Sequence, residues 1–139
     1  MATGATSGIG KAAAEKLREL GAKVVSGSRS EGNLDLADLS SVERFTKSVE
    51  ECDIVLACAA EIYTKRDETS VDGFDKTFAT NHLGLQAMLT GLSGTKPARV
   101  VIVGSKLELK GLVDPEMILK EKGKKLNDRP DEEHSTVKH

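Results

Sequence analysis

A chain of 139 residues with a formal net charge of −2 is sized for one domain, and its acidic and basic residues are mixed along the sequence. That balance gives no electrostatic grip on nucleic acid or on an anionic membrane, so neither is an expected partner. No stretch approaches the roughly 20 apolar residues of a membrane span, and residues 1–10 lack the apolar core of a signal peptide.

The chain opens on a glycine-rich turn, Thr3-Gly4-Ala5-Thr6-Ser7-Gly8-Ile9-Gly10, that runs into an amphipathic helix predicted over 9–20. Gly4 permits a tight turn, Gly8 lets a phosphate approach the main chain, and Gly10 lets the helix pack close to a sheet. Thr6 and Ser7 add hydroxyl donors. The helix aims its unpaired N–H groups and the positive end of its dipole at one point, which stabilises an anion there without a lysine. Ile9, Ala13, Leu17 and Leu20 form the stripe expected to face the core, and Gly21 stops the helix. Residues 23–28 read as a strand. Turn, helix and strand therefore follow in the order of a dinucleotide-binding unit.

The predicted second strand ends at Ser28-Arg29-Ser30. Sites for NAD commonly place a carboxylate here for the ribose hydroxyls, whereas NADP sites use a cation for the extra phosphate. Arg29, flanked by the Ser28 and Ser30 hydroxyls and with no carboxylate before Glu31, points to NADP(H), with NAD as the alternative.

Leu34-Asp35-Leu36 is expected as a short third strand reached through a compact loop too short for a helix. Ser40 and Glu43 have the spacing of a capping box, and Val42, Phe45 and Val49 recur at helical spacing behind it. The continuous apolar run at 54–60 reads as a central strand covered on both faces. Cys52 and Cys58 flank that run with no second pair and no nearby histidine. They are expected as free thiols in a reducing, cytoplasmic setting rather than as a disulfide or a metal site. Residues 61–72, interrupted by Tyr63 and Val71, read as loop. A long helix follows, with Phe74, Phe78, Leu85, Leu89 and Leu92 on one stripe, Asn81 and His82 midway, and Gly94 and Pro97 ending it. Residues 100–103 form a last apolar strand before Gly104-Ser105. Asp114-Pro115 open a short helix to about residue 122, and 123–139 read as a charged, disordered tail beyond a nucleotide-binding domain of 1–122.

The alternation of strands and helices predicts an α/β fold, a Rossmann-like doubly wound parallel sheet. It is incomplete. Only Met1 and Ala2 precede Thr3, against the usual strand of about five residues, so the first strand is expected to be a stub or absent.

With Thr3 ahead of Gly-x3-Gly-x-Gly, the turn resembles the short-chain dehydrogenase/reductase family, and four further segments extend the likeness over residues 1–115. Asp72-Gly73-Phe74 through Thr80-Asn81-His82-Leu83-Gly84 looks like the retinol dehydrogenase and protochlorophyllide reductase branch. The resemblance implies that Asp35, with Leu36, meets the adenine and that Cys58-Ala59-Ala60 lies along the cofactor, where the family has Asn-Ala-Gly. It further implies that Asn81 belongs to a proton relay and that Ser105 orients a substrate carbonyl. The family's general acid/base is a tyrosine with a lysine four positions later. At the tyrosine's register this chain has Ile118, which places Lys122 at the lysine's position, and the sole tyrosine is Tyr63. The family's C-terminal strands are also missing from this sequence. The implied function is NADP(H)-dependent hydride transfer at a carbonyl or alcohol, in a truncated form not competent alone. A non-catalytic dinucleotide-binding or regulatory module, or a fragment without function of its own, remains open. Unpaired sheet edges imply a homo-oligomer or a partner subunit.

Overall fold

A computed structural model of the chain describes residues 1–62 and 68–105. Tyr63, Ile118, Lys122, the expected helix ending near 122 and the tail 123–139 lie outside the described residues. In chain order the elements are β1 (Ala2–Thr3), α1 (Gly8–Glu19), β2 (Ser26–Gly27), α2 (Leu39–Ser48), β3 (Ile54–Ala57), α3 (Lys76–Phe78), α4 (Gly84–Gly91) and β4 (Arg99–Ile102). A π-helical turn, Ala79–Leu83, joins α3 to α4, and a 3-10 turn, Ser93–Thr95, follows α4.

The four strands form one parallel sheet in the order β2-β1-β3-β4. The first strand is the stub. Its two residues sit between β2 and β3, pairing Ala2 with Ser26 and Leu56, and Thr3 with Gly27 and Ala57. Met1 prolongs the seam, donating its amino group to Ile54 O at 2.8 Å and accepting from Leu56 N at 2.9 Å. The second strand is correspondingly short, Ser26–Gly27 rather than 23–28, and pairs with both residues of β1.

Side chains of β3 alternate between two cores, as a strand covered on both faces requires. Leu56 packs with Ala2, Ala5 and Ala14 on the α1 side. Val55 and Ala57 join Leu34, Leu36, Val42, Phe45, Met88 and Leu92 on the side of α2 and α4. The α1 face differs from the expected stripe: Gly10 and Ala14 are buried, while Ile9 and Leu20 are 70% and 73% exposed. Close approach explains it. A Cβ on Gly10 would stand 2.3 Å from the Gly4 carbonyl oxygen, so small residues rather than large ones face the sheet.

Three other expectations need correction. Leu34-Asp35-Leu36 is loop, not a third strand. Leu34 and Leu36 are apolar because they plug the core, and Asn33 occupies the flank of β2 instead, its side chain accepting from Ser28 N and donating to Ser26 O, both at 2.9 Å. The N-cap of α2 is Asp38, not Ser40: its carboxylate accepts from Ser40 N at 2.9 Å and Ser41 N at 3.1 Å, and Glu43 pairs with Lys47. The helical stripe after residue 74 also shifts. The π turn adds a residue and so rotates the following face by about 100°, burying Gly84, Met88 and Leu92 while Phe74 and Phe78 stay half-buried and Leu85 and Leu89 pack at the margin.

The Asp38 cap carries a pH signature. The Ser40 hydroxyl and then the Ser41 N–H hold its carboxyl below the ordinary value of 3.8, against a smaller opposing effect of burial. On acidification the unfolded chain therefore takes up this proton first. The cap's contribution is complete above the unfolded pKa and is lost as pH falls through the folded one. Asp38→Ala should cost about 1 kcal/mol at neutral pH, lowering the melting temperature by about 3–5 °C. In thermal melts the gap between variant and parent should close in acid; an unchanged gap would show that the cap is not the cause.

Candidate functional site

Two clefts open at opposite ends of the sheet. One, about 540 Å³, lies by Met1, Leu17, Lys23 and Ile54, toward the strands' amino ends. The other, about 710 Å³, lies at the carboxyl ends of β1, β2 and β3. Ligands of open parallel sheets bind at carboxyl ends where the chain crosses from one side to the other. The strand order β2-β1-β3 makes β1 that crossing point.

This second cleft gathers residues expected from distant parts of the sequence. Gly4, Thr6, Ser7, Gly8, Ile9 and Gly10 form one wall. Arg29, Ser30, Asp35 and Leu36 stand on the β2 side, and Cys58, Ala59 and Ala60 on the β3 side. Thr3 is the exception among the expected cofactor residues. It is buried, and its hydroxyl accepts from Ala59 N at 3.2 Å, tying the glycine turn to the loop after β3.

The glycine turn is built by close approach. Gly4 has φ +66°, and a Cβ there would lie 2.9 Å from Ala59 N. Gly8 has φ +51°, with open space where a Cβ would go. The Ser7 side chain does not cap α1, and no acidic residue stands in its first turn. Its leading N–H groups are thus left facing the cleft at the positive end of the helix dipole.

Other side chains complete the lining. Asp35 holds its own loop, one carboxylate oxygen accepting from Ala37 N at 2.9 Å. Burial pushes the Cys58 thiol up, so at neutral pH it stays a protonated, non-nucleophilic wall residue. Cys52 and Cys58 are both free. Glu61, Thr80 and Val103 also line the cleft, and the sequence reading passed over all three for this role. The Thr80 hydroxyl is buried without a hydrogen-bond partner among the described residues, an arrangement that a polar ligand in the cleft would relieve. An uncapped helix start, an unobstructed glycine and an orphan hydroxyl together fit a dinucleotide.

The expected catalytic residues are placed differently. Asn81 sits in the π turn, its amide spent on the backbone of Glu61: Nδ2 donates to Glu61 O at 2.8 Å and Oδ1 accepts from Glu61 N at 2.9 Å. Ser105 is exposed two residues past Val103 and is not among the residues lining the cleft. Among the described residues no group of three or more His, Cys, Asp or Glu side chains is placed to hold a metal ion, and no helix is long and apolar enough to cross a membrane.

Residues 1–139 match the NAD dependent epimerase/dehydratase family. Retinol dehydrogenase 14 of Mus musculus is 33% identical over 76% of this chain and 43% of its own length. Protochlorophyllide reductase B, chloroplastic, of Hordeum vulgare is 33% identical over 74% of this chain and 34% of its own. The WW domain-containing oxidoreductase of Gallus gallus is 34% identical over 74% and 32%. This chain thus spans less than half the length of these relatives. The crystal structure of an uncharacterised protein from Mycobacterium paratuberculosis superposes with a TM-score of 0.72 at 32% identity, covering 84% of this chain and 49% of that one.

Proposed function

The chain belongs to the NAD dependent epimerase/dehydratase family, the short-chain dehydrogenase/reductase type of nicotinamide-dinucleotide protein, and on that premise we propose that it binds NADP(H) in the cleft over β1. The observation that carries this reading is the pairing of an uncapped α1 start with Arg29 at the β2 side of the same cleft. Among the described residues lining the cleft, Arg29 is the one cation. The α1 N–H groups would hold the pyrophosphate, the Asp35–Leu36 loop the adenine end, and Arg29 the 2′-phosphate.

When bound, the dinucleotide supplies or accepts a hydride. What this chain contributes on its own is holding and orienting, since its sole tyrosine is Tyr63 and, counted along the sequence from Ser105, Ile118 falls at the register of the family's tyrosine. A non-catalytic, nucleotide-binding role is therefore the second reading, favoured by that one substitution. The free thiols of Cys52 and Cys58 suit a reducing, cytoplasmic setting.

Arg29→Ala tests the assignment. A charge-assisted contact is worth about 1.5 to 3 kcal/mol, so the variant should lose about tenfold or more in NADPH affinity while NADH affinity holds. Equal losses for the two nucleotides would remove Arg29 from the phosphate site.

A further inference from the structure

The cation assigned to the 2′-phosphate is already in use. Arg29 Nη2 lies 2.5 Å from Glu61 Oε2, with the two side chains 48% and 39% exposed. Arg29 follows β2 and Glu61 follows β3, and these strands flank β1, so the ion pair spans the mouth of the cleft above the glycine turn.

Both ends are anchored by their backbones. The two hydrogen bonds from the Asn81 amide hold the Glu61 peptide. On the other side the loop bearing Arg29 is closed by Gly32 N donating to Arg29 O at 2.9 Å and by Ser28 N donating to Asn33 Oδ1 at 2.9 Å. Two other described carboxylates stand near, and Glu31 accepts from the Ser26 hydroxyl at 2.8 Å. Asp35, which also lines the cleft, is held to Ala37 N.

Resting on the NADP(H) reading, we propose that Glu61 is a specificity-determining residue that restrains affinity for the 2′-phosphate by competing for Arg29. A dianionic phosphate and a carboxylate both want the same guanidinium, and the phosphate must displace the one and tolerate its charge nearby. A nucleotide without the 2′-phosphate has no need of Arg29 and leaves the pair intact. Glu61 thus narrows the preference for NADP(H) over NAD(H) below what Arg29 alone would give. Asn81 acts here as a positioning residue, keeping Glu61 within reach of Arg29.

Calorimetric titration with adenosine 2′,5′-bisphosphate and with AMP isolates the phosphate. Glu61→Gln, which keeps the side-chain shape and removes the charge, should tighten the bisphosphate by about fivefold and leave AMP within about twofold. Glu61→Ala should act in the same direction, and in an Arg29→Ala background neither change should matter. If Glu61→Gln leaves the bisphosphate unchanged or weakens it while Arg29→Ala still lowers its affinity, the competition is wrong and the NADP(H) reading survives. If Arg29→Ala also leaves both probes unaltered, the NADP(H) reading falls with it.

Discussion

Gly84→Ala should lower the melting temperature by about 10 °C or more, although the substitution lies within a helix, where alanine normally outperforms glycine by about 0.5–1 kcal/mol. The reason is the packing of α4 on the loop that lines the cleft. A Cβ on Gly84 would stand 2.0 Å from the Leu36 carbonyl oxygen, 2.8 Å from its carbon and 2.9 Å from its Cβ. These are backbone and near-backbone atoms that cannot swing aside as the end of a long side chain can. Helix and loop must part, at a cost of about 3 kcal/mol. Leu36 is both a core residue and part of the cleft lining, so the same shift should weaken nucleotide binding. Gly94→Ala is the control, since nothing lies within 4 Å of its Cβ position and its φ is not positive. Gly94→Ala should melt within a few degrees of the parent, about 0.4–1 kcal/mol at most on the stabilising side. A Gly84→Ala variant that melts alongside it would mean that α4 does not seat on Leu36.

Given NADPH or NADP⁺ with small carbonyls or alcohols, the chain should turn over no faster than a blank. Proton transfer to or from the reacting oxygen needs a positioned acid/base, and losing one costs about 10² to 10⁴ in rate. Ile118 cannot serve, and Tyr63 precedes β4 and Ser105 rather than following them. Asn81 is committed to the Glu61 backbone, and Ser105 stands outside the cleft lining. The check is NADPH absorbance over time with purified protein. Oxidation that tracks protein concentration and disappears in Ser105→Ala would overturn the non-catalytic reading.

Those two expectations mark which features could be read from sequence. The glycine turn, the helix behind it and the apolar strand at β3 were legible because each rests on local chemistry: a φ only glycine adopts easily, a helical period, a run buried on both faces. Most of the residues around the cleft followed, since the topology of such a unit brings them to one end of the sheet. The buried face of α1 was not legible. Periodicity weights large side chains, whereas the buried positions are Gly10, against which the Gly4 carbonyl lies, and Ala14, which packs with Ala2 and Ala5. The long helix was misread for a related reason, its π turn rotating the buried stripe onto Gly84 and Met88. Leu34 and Leu36 mimicked a strand because core burial and strand burial leave the same apolar trace over three residues. Glu61 went unnoticed although it directly follows Cys58-Ala59-Ala60. A carboxylate on the loop beside the one bearing Arg29 was the available signal, and it becomes visible once β2 and β3 are known to flank β1.

The most direct measurement is calorimetric titration of the unmodified chain with NADPH and with NADH. The account predicts saturable binding of both, with NADPH tighter, by a margin that Arg29→Ala abolishes and Glu61→Gln widens. Equal affinities for the two nucleotides would contradict the role given to Arg29. No saturable binding of either would contradict the assignment of the cleft over β1 itself.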